Sequence, residues 1–497
     1  MMAFSFFNIF RRRRARNLPL YLYNTLGGQM QKFSPPPHAH TVRMYNCGPT
    51  VYDVQHIGNL SMFVFTDALR RTLEYNGFQV KQTINFTDVG HLAGDNAGDA
   101  DEGEDRMTKG LKREGLPLTI ESMRTLGERY SEIFIDDLRA LNIDTSRIAF
   151  PRASDYISLD VAMIATLEEK GYAYRTKSGV YFDTARFPNY GKLGNINLEG
   201  QKEGARIARK DKRSPSDFIL WKLDEKLGWE SPWGRGFPGW HIECSAMIRA
   251  TLGQQIDIHT GGIEHIPVHH NNEIAQSEAV TGRRPLSKFW MHRAHIQIDG
   301  KKISKSEGNV VYLSEITKRG LHPLALRYLF LQAHYRTPAN FTWDALKAAQ
   351  AAYLKLRHFV RSAPEIGTPP PSVKFRYHER FNDDLDTAGA LAVIWEMMKD
   401  TAVRVEDARA AVLDADKVFG LALNLDDSKA DALIAKEFGE SVALDALPPE
   451  IHDKVLSRES ARADKNWTLA DRIRAELEQE GYTLEDSATG PIVCRCR

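Results

Sequence analysis

The chain has 497 residues, more than one hydrophobic core usually serves, which implies two to four domains. Its formal net charge is +1 on an ordinary globular composition, so no global polycation announces nucleic acid, and such a partner would have to meet local basic patches. Four cysteines argue against a disulfide scaffold, and no run is long and apolar enough to span a membrane.

In chain order, the apolar run Phe4 to Phe10 is followed by Arg11-Arg12-Arg13-Arg14. A secretory signal has its charge before the apolar run, so this order does not fit export. An arginine-rich leader with no acid before Asp53 leaves a mitochondrial presequence as the alternative to a plain basic extension. Thr41 to Cys47 alternates, with Val42 and Met44 on one face, and predicts a strand. Leu60 to Asn76 has helix-spaced Val64, Ala68, Leu69 and Leu73, and Phe78, Val80, Ile84 and Phe86 mark a second strand. Strand, glycine turn, helix and strand open a parallel, doubly wound α/β sheet. Asp95 to Asp105 reads as a solvated acidic loop, and residues of about 135–230 as an insertion between two halves of the sheet. Pro323 to Ala333 and Thr342 to Val360 are helical, Pro364 to Pro371 is a linker, and everything beyond reads as helical and charged. Cys494 and Cys496 read as exposed tail residues, and no internal repeat is present.

Three clusters carry chemistry. His269 and Glu273 stand at i and i+4, so on a helix they share one face and can point at one centre. Cys47 and Cys244 would complete a four-ligand site whose thiolates, imidazole and carboxylate suit zinc. His56-Ile57-Gly58-Asn59 follows a strand and opens a helix, where the imidazole, the close backbone at Gly58 and the helix N-terminus favour phosphate. Lys302-Ile303-Ser304-Lys305-Ser306 follows a strand over Ala294 to Ile298 and an Asp-Gly turn, and Lys302 and Lys305 can neutralise a triphosphate.

With both phosphate motifs in this order, the chain resembles the class I aminoacyl-tRNA synthetases. Tyr45 to Asp53, Ser214 to Lys222, Ser231-Pro232-Trp233-Gly234, Gly239 to Met247 and His269 to Ser277 narrow the resemblance to the cysteinyl-tRNA synthetase family, from about Leu20 to Asp486. The resemblance implies a Rossmann-like catalytic domain and a C-terminal α-helical domain. It divides the chain into a basic extension (1–19), the first catalytic half (20–135), a connective insertion (136–230), the second half (231–300), the lysine loop with stem-contact helices (301–362) and a helical anticodon-binding region (372–497).

The same resemblance implies Cys47, Cys244, His269 and Glu273 as ligands of one zinc ion. It implies His56, Gly58 and Asn59 on the ATP phosphates, Lys302 and Lys305 as catalytic cations, and magnesium with ATP. By the same resemblance Thr50 and Trp240 would shape the cysteine pocket, and Arg462, Trp467, Asp471, Arg474 and Asp486 would read the anticodon. Cysteine must be told from serine, and a hydrophobic pocket separates near-isosteres by only about 1–3 kcal/mol. Zinc prefers a thiolate, so the substrate sulfur can serve as an extra ligand. The expected partners are L-cysteine, ATP and cysteine tRNA, with no membrane, for a cytoplasmic monomer. Asn59 stands where the family usually has histidine, and Ile303 where it has methionine. The stretch His259 to His265 replaces a more glycine-rich one, Val89-Gly90-His91 and the acidic loop replace another family segment, and Pro491 and Ile492 replace a Thr and a Trp. The C-terminal region argues against a ligase serving a small amine, and Lys302, Ser304 and Lys305 against a silent paralogue.

Overall fold

The computed structural model describes residues 18–34, 41–89, 105–196, 212–304, 308–362, 365–438, 440–442, 444–487 and 490–495. A hairpin of β1 (Tyr21–Asn24) and β2 (Gln29–Lys32) comes first. Then β3 (Thr41–Asn46), α1 (Ile57–Tyr75) and β4 (Gln79–Ile84) form the expected βαβ unit, with Thr41 opposite Gln79 and Asn46 opposite Ile84 in parallel register. Leu60, Val64, Leu69 and Leu73 bury one side of α1, which is where most helix stability arises. Next come α2 (Arg106–Glu114) and α3 (Ile120–Ala140), which lead to β5 (Ile148–Ala149), parallel to β4 at the sheet edge. The acidic stretch expected as a loop falls on residues 90–104, outside the described residues, but Asp105 caps α2 by accepting from Met107 N and Thr108 N.

The chain continues through α4 (Ile157–Glu169), β6 (Ala173–Arg175), β7 (Gly179–Phe182), β8 (Phe218–Leu223) and β9 (Gly236–Pro238). These strands build a second, antiparallel sheet in the order β6-β7-β8-β9. The stretch 136–230 therefore holds the edge strand of the central sheet as well as three strands of the second one, whose fourth lies beyond 230. The return to the central sheet runs through α5 (Trp240–Thr251), β10 (Ile256–Gly262), α6 (His269–Thr281) and β11 (Ser287–Arg293). The finished sheet has the order β11-β10-β3-β4-β5, parallel throughout. Its carboxyl edge, where ligands bind in such folds, collects Cys47, Gly262 and Arg293.

A hairpin of β12 (Ile296–Ile298) and β13 (Lys301–Lys302) turns at Asp299 and Gly300, both with positive φ (49° and 74°). After it come α7 (Leu313–Lys318), α8 (Pro323–Leu331), β14 (Ala339–Phe341) and α9 (Trp343–Ser362), with β14 parallel to β12. The helices α10 (Pro371–Asn382), α11 (Thr387–Met397) and α12 (Val405–Phe419) pack on α8 and α9 through Tyr328, Tyr353, Tyr377, Ile394 and Phe419. Asp67 of α1 ties this layer to the catalytic one. It accepts from Arg70 Nη2, Arg71 Nε and Arg327 Nη2, each at 2.6 Å. Arg327 also donates to Phe419 O at 2.6 Å and Leu141 O at 2.9 Å.

The C-terminal region corrects the all-helical expectation. After α13 (Ser428–Phe438), the strands β15 (Glu440–Val442), β16 (Tyr482–Ser487) and β17 (Gly490–Arg495) form an antiparallel sheet in the order β15-β17-β16. It packs with α14 (Pro449–Ala463) and α15 (Trp467–Gln479). Tyr482, Leu484 and Val493 are buried against Val455, Ile473 and Leu477; the period-two signal is only two residues long in β16 and is masked by charged neighbours. Cys494 is a strand residue, its backbone opposite Ser441 and Thr483, and Cys496 lies outside the described residues.

Candidate active site and metal centre

Cys47 leaves β3 in a turn that only glycine allows, since a Cβ on Gly48 would lie 1.6 Å from Asn85 O. Cys244 sits one turn into α5, and His269 and Glu273 occupy successive turns at the start of α6. The four side chains are buried, and their donor atoms lie within 4.8 Å of one another. His269 Nε2 is 2.9 Å from Glu273 Oε1, and Cys47 Sγ is 3.8 Å from the same oxygen.

The surroundings orient these donors. His269 Nδ1 shares a hydrogen bond with His241 Nδ1 at 2.8 Å, which leaves Nε2 for the centre; among the described residues that buried nitrogen makes no hydrogen bond. Glu273 Oε2 meets His259 Nε2 at 3.0 Å, which leaves Oε1 for the centre. A buried imidazole nitrogen without a hydrogen bond, facing two sulfurs and a carboxylate, fits a divalent metal ion, with His241 and His259 fixing ring and carboxylate from behind. Burial disfavours charge on His269, but Glu273 and Cys244 push it up to about 10. Burial alone would raise Glu273, yet His259 and His269 hold it well below the carboxylate range. The hydrogen bond from Cys47 brings Cys244 down to about 6 against burial, while burial and Cys244 push the Cys47 thiol up.

The sequence reading missed the histidines around this set. The donor atoms of Cys47, His259, His270 and Glu273 also lie within 4.8 Å of one another. Their rings are already engaged, however: His270 Nε2 lies 3.3 Å from Cys47 Sγ and His259 Nε2 is on Glu273. His270 Nδ1 reaches His292 Nε2 at 2.8 Å, and His292 Nδ1 reaches Thr25 Oγ1 at 2.7 Å. Burial holds His241, His270 and His292 well below the ordinary imidazole value and lowers His265 to about 4. The signal was the crowding of histidine between 259 and 270. Trp240 is half-buried with its ring centroid 4.1 Å from that of His269, so it roofs the centre, and half-buried Thr50 bridges Thr87 through its backbone.

The His56–Asn59 turn and the lysine loop meet. His56 caps α1, its Nδ1 accepting from Asn59 N at 3.2 Å, and the Asn59 side chain is exposed. A Cβ on Gly58 would come within 2.6 Å of Ile303 Cδ1, so Ile303 is seated on that glycine. Ile57 N donates to Val311 O at 2.9 Å, and Asn309 pins the loop, accepting from Ser304 N and donating to Lys302 O, both at 2.8 Å. Lys302 is exposed, and Lys305 lies outside the described residues. Arg462, Trp467, Asp471 and Arg474 lie on or beside the α14–α15 pair and Asp486 on β16; Trp467 is 56% exposed, with the Arg462 guanidinium 5.8 Å from its ring centroid. No helix among the described residues is long and apolar enough to cross a membrane.

Comparison with known proteins agrees with this architecture. Residues 33–351 match the family described as tRNA synthetases class I (C) catalytic domain. The chain is 44% identical over 479 residues to cysteine–tRNA ligase 1 of Burkholderia lata, covering 95% of this chain and 96% of that protein. It is 37% identical over 506 residues to the cysteine–tRNA ligase of Treponema denticola, covering 95% and 98%. Among solved structures, Mycobacterium tuberculosis methionyl-tRNA synthetase in complex with methionyl-adenylate superposes with a TM-score of 0.54 at 15% identity, over 84% of this chain and 93% of that one, a likeness of fold. Identity at this level over 95% of the chain, with the family's catalytic domain matched over residues 33–351, makes this chain a member of the cysteine–tRNA ligase family of class I aminoacyl-tRNA synthetases.

Proposed function

We propose that this enzyme ligates L-cysteine to its cognate tRNA through cysteinyl-adenylate, and that Cys47, Cys244, His269 and Glu273 hold one zinc ion that selects the substrate thiol. The observation that carries the proposal is the convergence of four buried donors beneath the Trp240 ring. Zinc bound there supplies a Lewis acid that prefers sulfur to oxygen, which separates cysteine from serine.

The cysteine carboxylate attacks the α-phosphate of magnesium-bound ATP, pyrophosphate leaves, and a terminal ribose hydroxyl of the tRNA then takes the aminoacyl group as AMP leaves. His56 and Asn59 hold the phosphates at the N-terminus of α1, where Gly58 lets backbone approach. Lys302 and Lys305 offset charge that develops as pyrophosphate departs. Thr50 and Trp240 bound the amino-acid pocket. Arg462, Trp467, Asp471, Arg474 and Asp486 contact the anticodon, and the exposure of Trp467 supports a stacking role over a core one. We place the enzyme in the cytoplasm as a monomer; the basic leader behind the mitochondrial alternative lies outside the described residues.

The test is ATP–pyrophosphate exchange on zinc-loaded protein with cysteine, serine and other amino acids, followed by charging of cysteine tRNA. Exchange with cysteine alone, plus charging, is expected. Cys244→Ser should lose bound zinc and cysteine-dependent exchange while keeping its fold by circular dichroism. Undiminished exchange in that variant would overturn the metal assignment.

A further inference from the structure

Arg293 is the last residue of β11, at the carboxyl edge of the sheet, and it is only 5% exposed. Its Nε–H donates to Ser61 Oγ at 2.8 Å, and Ser61 Oγ–H donates in turn to Gly58 O at 2.7 Å. That carbonyl belongs to the His56–Asn59 turn. The other wall is Phe330 of α8, whose ring centroid lies 5.6 Å from the guanidinium carbon. Among the described residues no carboxylate pairs with Arg293, and burial alone lowers its pKa to about 10, so it stays charged at neutral pH. By contrast, the buried Arg70 and Arg327 both lie against Asp67.

An unpaired buried cation is costly to keep. It is retained most economically where an anion will arrive. α1 already presents roughly half a positive charge at its N-terminus. We propose that Arg293 is a positioning residue for the ATP phosphates: a guanidinium that no acid among the described residues neutralises, tied through Ser61 to the Gly58 carbonyl, which holds the His56–Asn59 turn in place and adds its field to that of the helix. Arg293 acts through the turn and need not touch the nucleotide. This rests on the ligase reading above.

The experiment is steady-state ATP–pyrophosphate exchange with cysteine, varying each substrate, for wild type, Arg293→Met and Arg293→Lys, beside ligand-free thermal melts of the same proteins. Arg293→Met should raise the KM for ATP about ten-fold or more and leave that for cysteine within about two-fold. Its melting temperature without ligand should equal or exceed that of wild type, because an unpaired buried charge has been removed. Arg293→Lys should recover most of the ATP affinity. If Arg293→Met does not fold, Arg293→Gln is read in its place. An ATP KM within about two-fold of wild type in the uncharged variant overturns the proposal. So does equal damage in the Met and Lys variants with a lower melting temperature, the mark of a packing residue. Wild-type protein without cysteine-dependent exchange would instead overturn the ligase reading.

Discussion

His241 holds His269 by a ring-to-ring hydrogen bond on the nitrogen that faces away from the centre, so its removal separates orientation from ligation. His241→Ala is expected to lower zinc affinity on the order of 10–100-fold, as losses behind a metal ligand do, which titration against a chelator will measure. Trp467 is the opposite case, a large aromatic residue in the open. Trp467→Ala should reduce charging of cysteine tRNA by about 1–3 kcal/mol in tRNA affinity and leave ATP–pyrophosphate exchange intact. Equal loss in both assays would make the residue structural. Single residues differ in how well the sequence announces them. His269 and Glu273 show a helical spacing, and the two cysteines stand out because there are few to choose from. His259 and His292 lie on separate strands, with no periodicity linking them to His270, and only the fold brings their rings together.

At the level of elements, α1 and the lysine loop meet where Ile303 sits on Gly58, beside the hydrogen bond from Ile57 N to Val311 O. A methyl group at 58 would meet Ile303 Cδ1 at 2.6 Å and His56 ring atoms at 3.0 Å. Gly58→Ala should therefore displace the loop and raise the KM for ATP on the order of ten-fold. Adding Ile303→Val, which deletes the obstructing methyl, should recover part of that loss; no recovery would point to His56 as the group displaced. α1, β3 and β4 were legible because their apolar spacing runs over many residues and ends in clear turns. β5 was not, because two residues carry no period. The strands β16 and β17 are six residues each, but in β16 the apolar alternation runs only from Tyr482 to Leu484 before Glu485 and Asp486, which resembles an exposed helix end.

Across the whole molecule, Asp67 couples the layers. It is 1% exposed; burial would raise its pKa, but Arg327, Arg71 and Arg70 hold it well below the carboxylate range. A carboxylate with a depressed folded-state pKa contributes its full stability above its unfolded value, about 3.9, and loses it as pH falls toward the folded one. Melting temperature should thus be insensitive to Asp67 titration from neutral pH to about pH 4 and fall below it. Asp67→Asn should flatten that acid limb while costing about 3–5 kcal/mol at neutral pH, because three guanidinium groups lose their counter-charge. Arg327 spends its remaining donors on carbonyls of Leu141 and Phe419, one from each side of the junction. The two halves are therefore not interchangeable modules: a hybrid that grafts the C-terminal helices of a relative onto this catalytic domain must carry Arg327 with its matching carbonyls, or leave Asp67 with only the two arginines of its own helix.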